Sequence, residues 1–301
     1  MLCVKRVCAA LICCLISFAS LSATAETLTI GTLNEGVRAQ MRAYESLVSH
    51  LQTHLEGSKV TRVRVLMLPT SERMSHAMMN GEVDVFMDSP LVAAKVARVS
   101  GAKPTMRHWK KGESSYYAVL VTNVDSGITS VSDLKGKKMA FEEKDSTSGF
   151  LLPAQMLINS GLKLHELHNI SADPKEDEVG YVFSAHDKNS IYLLASGRVD
   201  AIATNPESLR LLQEVRPDTF VSFAKSPTVP RQVLLHRAGM DPDILRDLRA
   251  ELANLYRTPD GREVLKKFQN SSGFDDFPEG AEAAFAPIYE ILDDLERAGL
   301  Y

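Results

Sequence analysis

The 301 residues carry 34 Lys and Arg against 38 Asp and Glu, a formal net charge of −4. A mildly acidic chain is a poor partner for nucleic acid. All four cysteines (Cys3, Cys8, Cys13, Cys14) lie in the first 14 residues, which excludes a disulfide framework or a cysteine metal centre from the rest.

Those first residues read as an export signal. Lys5 and Arg6 form a positive n-region, Val7 to Leu21 an apolar h-region, and Ala23-Thr24-Ala25 an A-x-A cleavage site. The apolar run is shorter than the ~20 residues a membrane-spanning helix needs. Cys13 or Cys14 as a lipid anchor is the weaker reading, because the usual Leu-Ala/Ser-Gly/Ala triplet precedes neither. Cleavage near Glu26 leaves 276 of the 301 residues and lowers the basic count from 34 to 32 against 38 acidic residues, a net charge of −6. A periplasmic chain of this length can form two lobes with separate cores.

Thr27 to Gly31 alternates as a strand, the polar loop Thr32 to Gly36 follows, and Ala39 to Leu55 has helical spacing. Val60 to Leu68 is a strand, Ser71 to Met79 a helix and Val83 to Met87 a strand. Pro90 then stands at the first position of a helix over Leu91 to Val99. Such alternation implies a parallel sheet with right-handed crossovers, whose ligands bind at the carboxyl ends of strands. The loops at 32–36, 69–71 and 88–90 should therefore converge. Tyr116 to Asn123 is an apolar strand on which Tyr116 and Tyr117 alternate faces, so one reaches the core and one the cleft. A second α/β series follows. Strands are expected over 179–183, 199–204, 219–224 and 232–236, and helices over 188–196, 206–215, 242–256, 261–268 and 282–298. The partition is a first lobe of 26–122 plus 220–301, with 123–219 inserted and a two-segment hinge between them.

The stretch Lys144 to Pro153 organises this chain. Ser146, Thr147 and Ser148 sit where a strand ending at Phe141 hands over to a helix, and a helix start presents free N–H groups and a positive dipole end to an anion. An N-cap needs one hydroxyl residue; three in a row followed by Gly149 exceed that need. Each hydrogen bond to a charged group is worth ~1.5–3 kcal/mol, so four or five offset the ~8 kcal/mol of micromolar binding and part of the association cost. Asp88 ends a strand, either capping the helix that Pro90 opens or facing the ligand, where its carboxylate would favour a protonated oxyanion. His186 either caps a helix or meets the anion. Met67, Met74, Met78, Met79 and Met87 with His76 could suggest copper, but the i,i+4 spacing of Met74 and Met78 favours core packing. No Gly-x-Ser-x-Gly, His-Glu-x-x-His or phosphate-loop motif is present, so neither an enzyme nor a resident cofactor or metal is expected.

Several segments together resemble a known family. They are Gly81 to Asp84, Ser130 to Lys138, Asp145 to Pro153, Gly197 to Ala201 with Thr204-Asn205, and Lys225 to Pro230. In this order they resemble the phosphonate-, phosphite- and phosphate-binding periplasmic components of ABC importers. That resemblance implies the α/β, type II periplasmic binding protein fold of two lobes, a small phosphorus oxyanion as ligand, an inner-membrane ABC permease as partner and a monomer. It places Ser146, Thr147, Ser148 and His186 on the anion. Glu207, beside Asn205, matches an acid that holds the amine of aminophosphonates. Asn34, Ser71, Asp88-Ser89 and Tyr117 complete the expected lining. Related binders carry tyrosines where this chain has Ser71 and Asp88, and an acid where it has Arg231-Gln232, which argues against an aminophosphonate. Asp88-Ser89-Pro90 resembles a less characterised branch. The alternative with the same fold is a ligand sensor docked on a membrane histidine kinase or cyclase; a periplasmic hydrolase is the remaining alternative.

Overall fold

The computed structural model describes residues 26–33, 37–55 and 59–301. The expected signal segment and Asn34 lie outside the described residues. In chain order the first elements are β1 (Glu26–Leu33), α1 (Val37–His54), β2 (Val60–Leu68), α2 (Ser71–Met79), β3 (Val85–Asp88), α3 (Pro90–Ser100), β4 (Lys103–His108), β5 (Ser115–Tyr116) and β6 (Val119–Asn123). Next come β7 (Lys138–Phe141), a π-helical turn (Thr147–Leu151), α4 (Leu152–Asn159), β8 (Lys163–Glu166), β9 (Glu178–Phe183), α5 (Asp187–Ala195), β10 (Ala201–Thr204) and α6 (Pro206–Val215). The last are β11 (Phe220–Lys225), β12 (Val229–Pro230), β13 (Gln232–His236), α7 (Pro242–Asn254), α8 (Pro259–Lys267), β14 (Phe274–Asp275) and α9 (Ala281–Arg297).

Two six-stranded sheets result, one per lobe, in the orders β14-β4-β13-β3-β1-β2 and β11-β6-β10-β7-β9-β8. Both are mixed rather than wholly parallel. β1, β2 and β3 run parallel, as do β10, β7, β9 and β8, whereas β13 is antiparallel to its neighbours β3 and β4, and β6 to β10 and β11. The reversed strands β6 and β13 are those by which the chain enters each sheet from the hinge, and β14 is likewise antiparallel to β4.

The crossover lies slightly outside the expected boundaries at 122/123 and 219/220. β6 and β11 belong to the second sheet, and the chain passes between lobes at β5 and β12, which pair antiparallel with Tyr116 opposite Val229. The single strand expected over 116–123 is accordingly broken at Tyr117-Ala118, where the chain turns from hinge to sheet. The C-terminal segment does not belong to the first lobe alone. The amphipathic helix α9 packs against α3 of the first lobe and α4 of the second, and buries Phe285, Ile288, Leu292 and Leu295 in a core cluster that runs through both lobes. Arg98 pairs with Asp293, and Gln155 of α4 donates to Asp294 at 3.1 Å. Met74 and Met78 on one face of α2, and Met87 of β3, are buried while His76 on the other face of α2 is exposed, so these methionines pack and do not form a ligand cluster with it.

Candidate functional site

The hydroxyl-rich turn starts from Phe141, buried against Phe150 at the end of β7. Ser146 is its N-cap: the Ser146 hydroxyl accepts from the Gly149 N–H at 3.0 Å and donates to Glu142 Oε2 at 2.6 Å. Both Phe150 and Leu151 donate their N–H groups to the Ser146 carbonyl, so the first turn is widened into π geometry, a feature frequent at functional sites. The N–H groups of Thr147 and Ser148 precede the first helical bond and have no acceptor within the helix. Gly149 is needed for space: a Cβ there would lie 2.5 Å from Glu142 Cβ and 2.7 Å from both Glu142 Oε2 and Ser146 Oγ. Burial, and then the nearby Asp187 charge, hold the Glu142 carboxyl above its ordinary value.

Thr147 and Ser148 are buried, with Thr147 3% exposed. Thr147 Oγ1 has no hydrogen-bond partner among the described residues, and the Tyr116 phenol lies beside it. Burial pushes that phenol up to about 12, against the opposing pull of the Arg231 cation and the Thr147 hydroxyl. Tyr116 therefore stays uncharged near neutral pH.

The facing wall comes from the first lobe and the hinge. Ser71 opens α2, its Oγ buried and without a hydrogen-bond partner; Thr70 caps the helix by accepting from the Arg73 N–H. Asp88, half-buried at the end of β3, accepts the Ser89 N–H at 2.6 Å, and its charge is felt at the Tyr116 phenol. Ser89 is the N-cap of α3 but makes no side-chain cap bond. Arg231, just past β12, stacks its guanidinium 4.4 Å from the Tyr116 ring centroid. Its Nε is buried without a hydrogen bond and stands 3.4 Å from a Glu113 carboxylate oxygen. Gln232 is taken up by the buried His108 ring, its Oε1 accepting from His108 Nδ1 at 2.8 Å.

Other expected residues are drawn elsewhere. Tyr117 does not stand beside Thr147. It lines a surface groove with Pro206, Leu209 and Phe223, because its neighbour Tyr116 takes the inward face of the strand. Glu207 forms an ion pair with Lys111 at 2.6 Å, so its charge is already matched by a side chain from the other lobe. Asn205 caps α6 by accepting from Ser208 and donates to Asp187. His186 is exposed at the N-cap of α5 without a side-chain cap bond. Sequence reasoning missed Tyr116, Glu142 and Arg231 as members of this cluster. The alternation at 116–117 leaves the inward tyrosine open, and Arg231 is visible only as a departure from related binders.

The lobes also meet through Lys95 of α3, whose Nζ is 2.9 Å from Glu72 of its own lobe and 3.6 Å from Asp145 of the second lobe. Tyr301 donates to the same Asp145 at 3.0 Å, and Lys95 lies 4.7 Å over its ring. The Lys95 hydrogen bond holds the Glu72 carboxyl down to about 2.

The family described as ABC transporter, phosphonate, periplasmic substrate-binding protein matches residues 32–279. The chain belongs to that family. Its members are substrate-binding proteins, not enzymes, that work in the periplasm with ABC importers. The phosphonates-binding periplasmic protein of Escherichia coli K12 is 26% identical over 254 residues, 82% of this chain and 71% of that protein. The phosphate-import protein PhnD of Mycolicibacterium smegmatis is 27% identical over 239 residues, 76% of this chain and 71% of that protein. The solved structure of XAC2383 from Xanthomonas citri, bound to chloride ion, superposes with a TM-score of 0.81 at 22% identity, covering 90% of this chain and 98% of that one. PhnD1 of Prochlorococcus marinus, in complex with methylphosphonate, gives 0.66 at 16% identity over 90% of this chain and 98% of its own. These two likenesses establish the type II fold.

Proposed function

We propose that this protein captures a small phosphorus oxyanion without an amine (phosphate, phosphite or a simple alkylphosphonate) and delivers it to an inner-membrane ABC permease. The observation that carries the proposal is the set of buried polar atoms without hydrogen-bond partners. Of the five such side-chain atoms among the described residues, Thr147 Oγ1 and Arg231 Nε lie around the Tyr116 ring, and Ser71 Oγ stands at the start of a helix at the carboxyl end of the first sheet. A buried unsatisfied polar group costs about 1–3 kcal/mol, and an anion bound among these donors would repay it. Ser146 organises the turn, Thr147 and Ser148 present N–H and hydroxyl donors, and Arg231 supplies the positive charge.

That charge also speaks against an aminophosphonate. An ammonium would meet the Arg231 guanidinium, and the carboxylate of Glu207 is held by Lys111. Asp88 at the ligand would accept a hydrogen bond from a protonated oxyanion and repel a fully ionised one. The names of the relatives agree with this range, since one binds phosphonates, one imports phosphate and one is in complex with methylphosphonate. His186 and Ser89 would complete the lining on closure.

Thermal unfolding in the presence of phosphate, phosphite, methylphosphonate, aminoethylphosphonate and sulfate tests the proposal, because a tight ligand raises the midpoint by mass action. One of the first three should raise it and aminoethylphosphonate should not. A flat response to all five, or a shift by aminoethylphosphonate alone, would sink the reading.

A further inference from the structure

A second cluster of ligand-type side chains lies on the seam between α1 and α7, apart from the cleft residues. α1 places His50 and His54 one turn apart on the same face. α7 brings Glu251 against them from 201 residues away in sequence. One donor atom from each of the three lies within 4.8 Å of the others. The imidazole rings are stacked, with centroids 3.8 Å apart and planes 16° from parallel.

From this arrangement we infer that His50, His54 and Glu251 form a binding site for a single divalent transition-metal cation, of which Zn2+ is the natural probe. The hydrogen bonding supports a ligand role for each residue. His54 Nδ1 is 2.9 Å from the His50 carbonyl oxygen, so that nitrogen carries the proton and Nε2 keeps its lone pair. A backbone carbonyl holding the far ring nitrogen is the usual way in which a metal-binding histidine is oriented. His50 Nε2 stands 2.7 Å from Glu251 Oε1, a separation spanned by one shared proton. A cation replaces that proton and releases it to solvent. With metal–nitrogen and metal–oxygen distances of about 2.0–2.2 Å in a tetrahedron, the nitrogen-to-oxygen gap opens by only some tenths of an ångström.

A plain ion pair accounts for His50 and Glu251 but not for the second ring. The two ring planes are nearly parallel, so the exposed His54 ring turns about its side-chain bonds to bring its lone pair to an ion held by His50 and Glu251. Two neutral imidazoles and one carboxylate suit Zn2+, Ni2+ or Cu2+ and suit poorly the oxygen-seeking Mg2+ and Ca2+. The side chains of His50 and Glu251 are 8% and 24% exposed, so packing holds them in place. His54 is exposed and leaves a route for the ion and for a water as fourth ligand. The bound ion would fasten the C-terminal turn of α1 to α7 across the back of the first lobe.

The test is calorimetric titration of the chelator-treated full-length protein with Zn2+, repeated on His54→Gln and Glu251→Gln, with Co2+ absorption as the readout of tetrahedral geometry. One equivalent should bind in the micromolar range. Each substitution should weaken it at least tenfold and remove the tetrahedral Co2+ bands, while the oxyanion response stays unchanged because neither residue belongs to the cleft. His54 is exposed, so its variant folds. Exposed histidines such as His76, His165 and His168 give only weak binding that these variants leave untouched. Millimolar or absent binding in the parent protein, or an affinity equal in both variants, overturns the inference.

Discussion

The two walls of the cleft are built on opposite plans. The second-lobe wall is local: within eight residues, Glu142, Ser146 and Gly149 lock one another, and Thr147 and Ser148 are carried with them. The first-lobe and hinge residues Asp88, Tyr116 and Arg231 are far apart in sequence and are brought together by the pairing of β3 with β13 and of β5 with β12, with Ser71 added at the start of α2. A local wall can hold a constant anion grip, while a wall of distant parts can change one residue at a time. Specificity within this family has room to vary on the second kind of wall.

Acid should damage the assembled wall most. His108 is fully buried beneath it, bonded to Gln232 and, at 2.5 Å, to Ser271, and burial lowers its pKa to about 3. Because the folded state refuses a proton that the unfolded state accepts, stability is complete above pH 6.5 and falls as pH drops towards 3. Between pH 6.5 and 4 this one group should remove about 3 kcal/mol. Denaturant titrations across that range should show the loss, and His108→Gln should flatten it; equal slopes in the two proteins would exclude His108 as the cause.

The local wall should break at Gly149. A methyl group in Gly149→Ala collides with Glu142, and overpacking of this kind costs about 1–3 kcal/mol. Chemical denaturation should record that cost together with lost anion binding, whereas an unchanged protein would mean that the turn has slack. Thr147→Val separates function from folding. It removes a donor worth about 1.5–3 kcal/mol to a charged ligand, or ~10–100-fold in affinity. Stability should hold or rise, since the hydroxyl is unpartnered in the free protein. If stability falls instead, the hydroxyl serves the fold.

The smallest effect is expected where the walls meet. Lys95→Met removes the ion pair to Asp145 across the lobes and the pair to Glu72 within the first lobe. Their partners are largely solvent-exposed, so ligand affinity measured by calorimetry should fall by no more than the equivalent of about 1 kcal/mol. A larger drop would make the clasp a principal determinant of closure.

Much of the molecule is legible in order along the chain. Helices over 71–79 and 206–215 begin and end where capping residues and Pro206 place them. The turn at 146–149 stands out because three hydroxyl residues follow a buried strand, although its π geometry comes from the double acceptance by the Ser146 carbonyl. The short strands β8 and β14 carry little periodicity of their own and exist by pairing with the longer β9 and β4, while β12 pairs with the equally short β5.

What the sequence determined by itself is the alternation of elements, the anion-type donors at 146–148 and, through the family resemblance, the two-lobed plan. Those signals are local, set by spacing, caps and hydroxyl content. Tertiary structure alone decided that Tyr116 rather than Tyr117 stands beside Thr147, that Arg231 brings its charge to that ring, and that Lys111 takes Glu207 away from a ligand. It also brought Glu251 to His50 and His54. Each of these depends on which faces two distant segments present to one another, and no residue type or spacing within one segment encodes that.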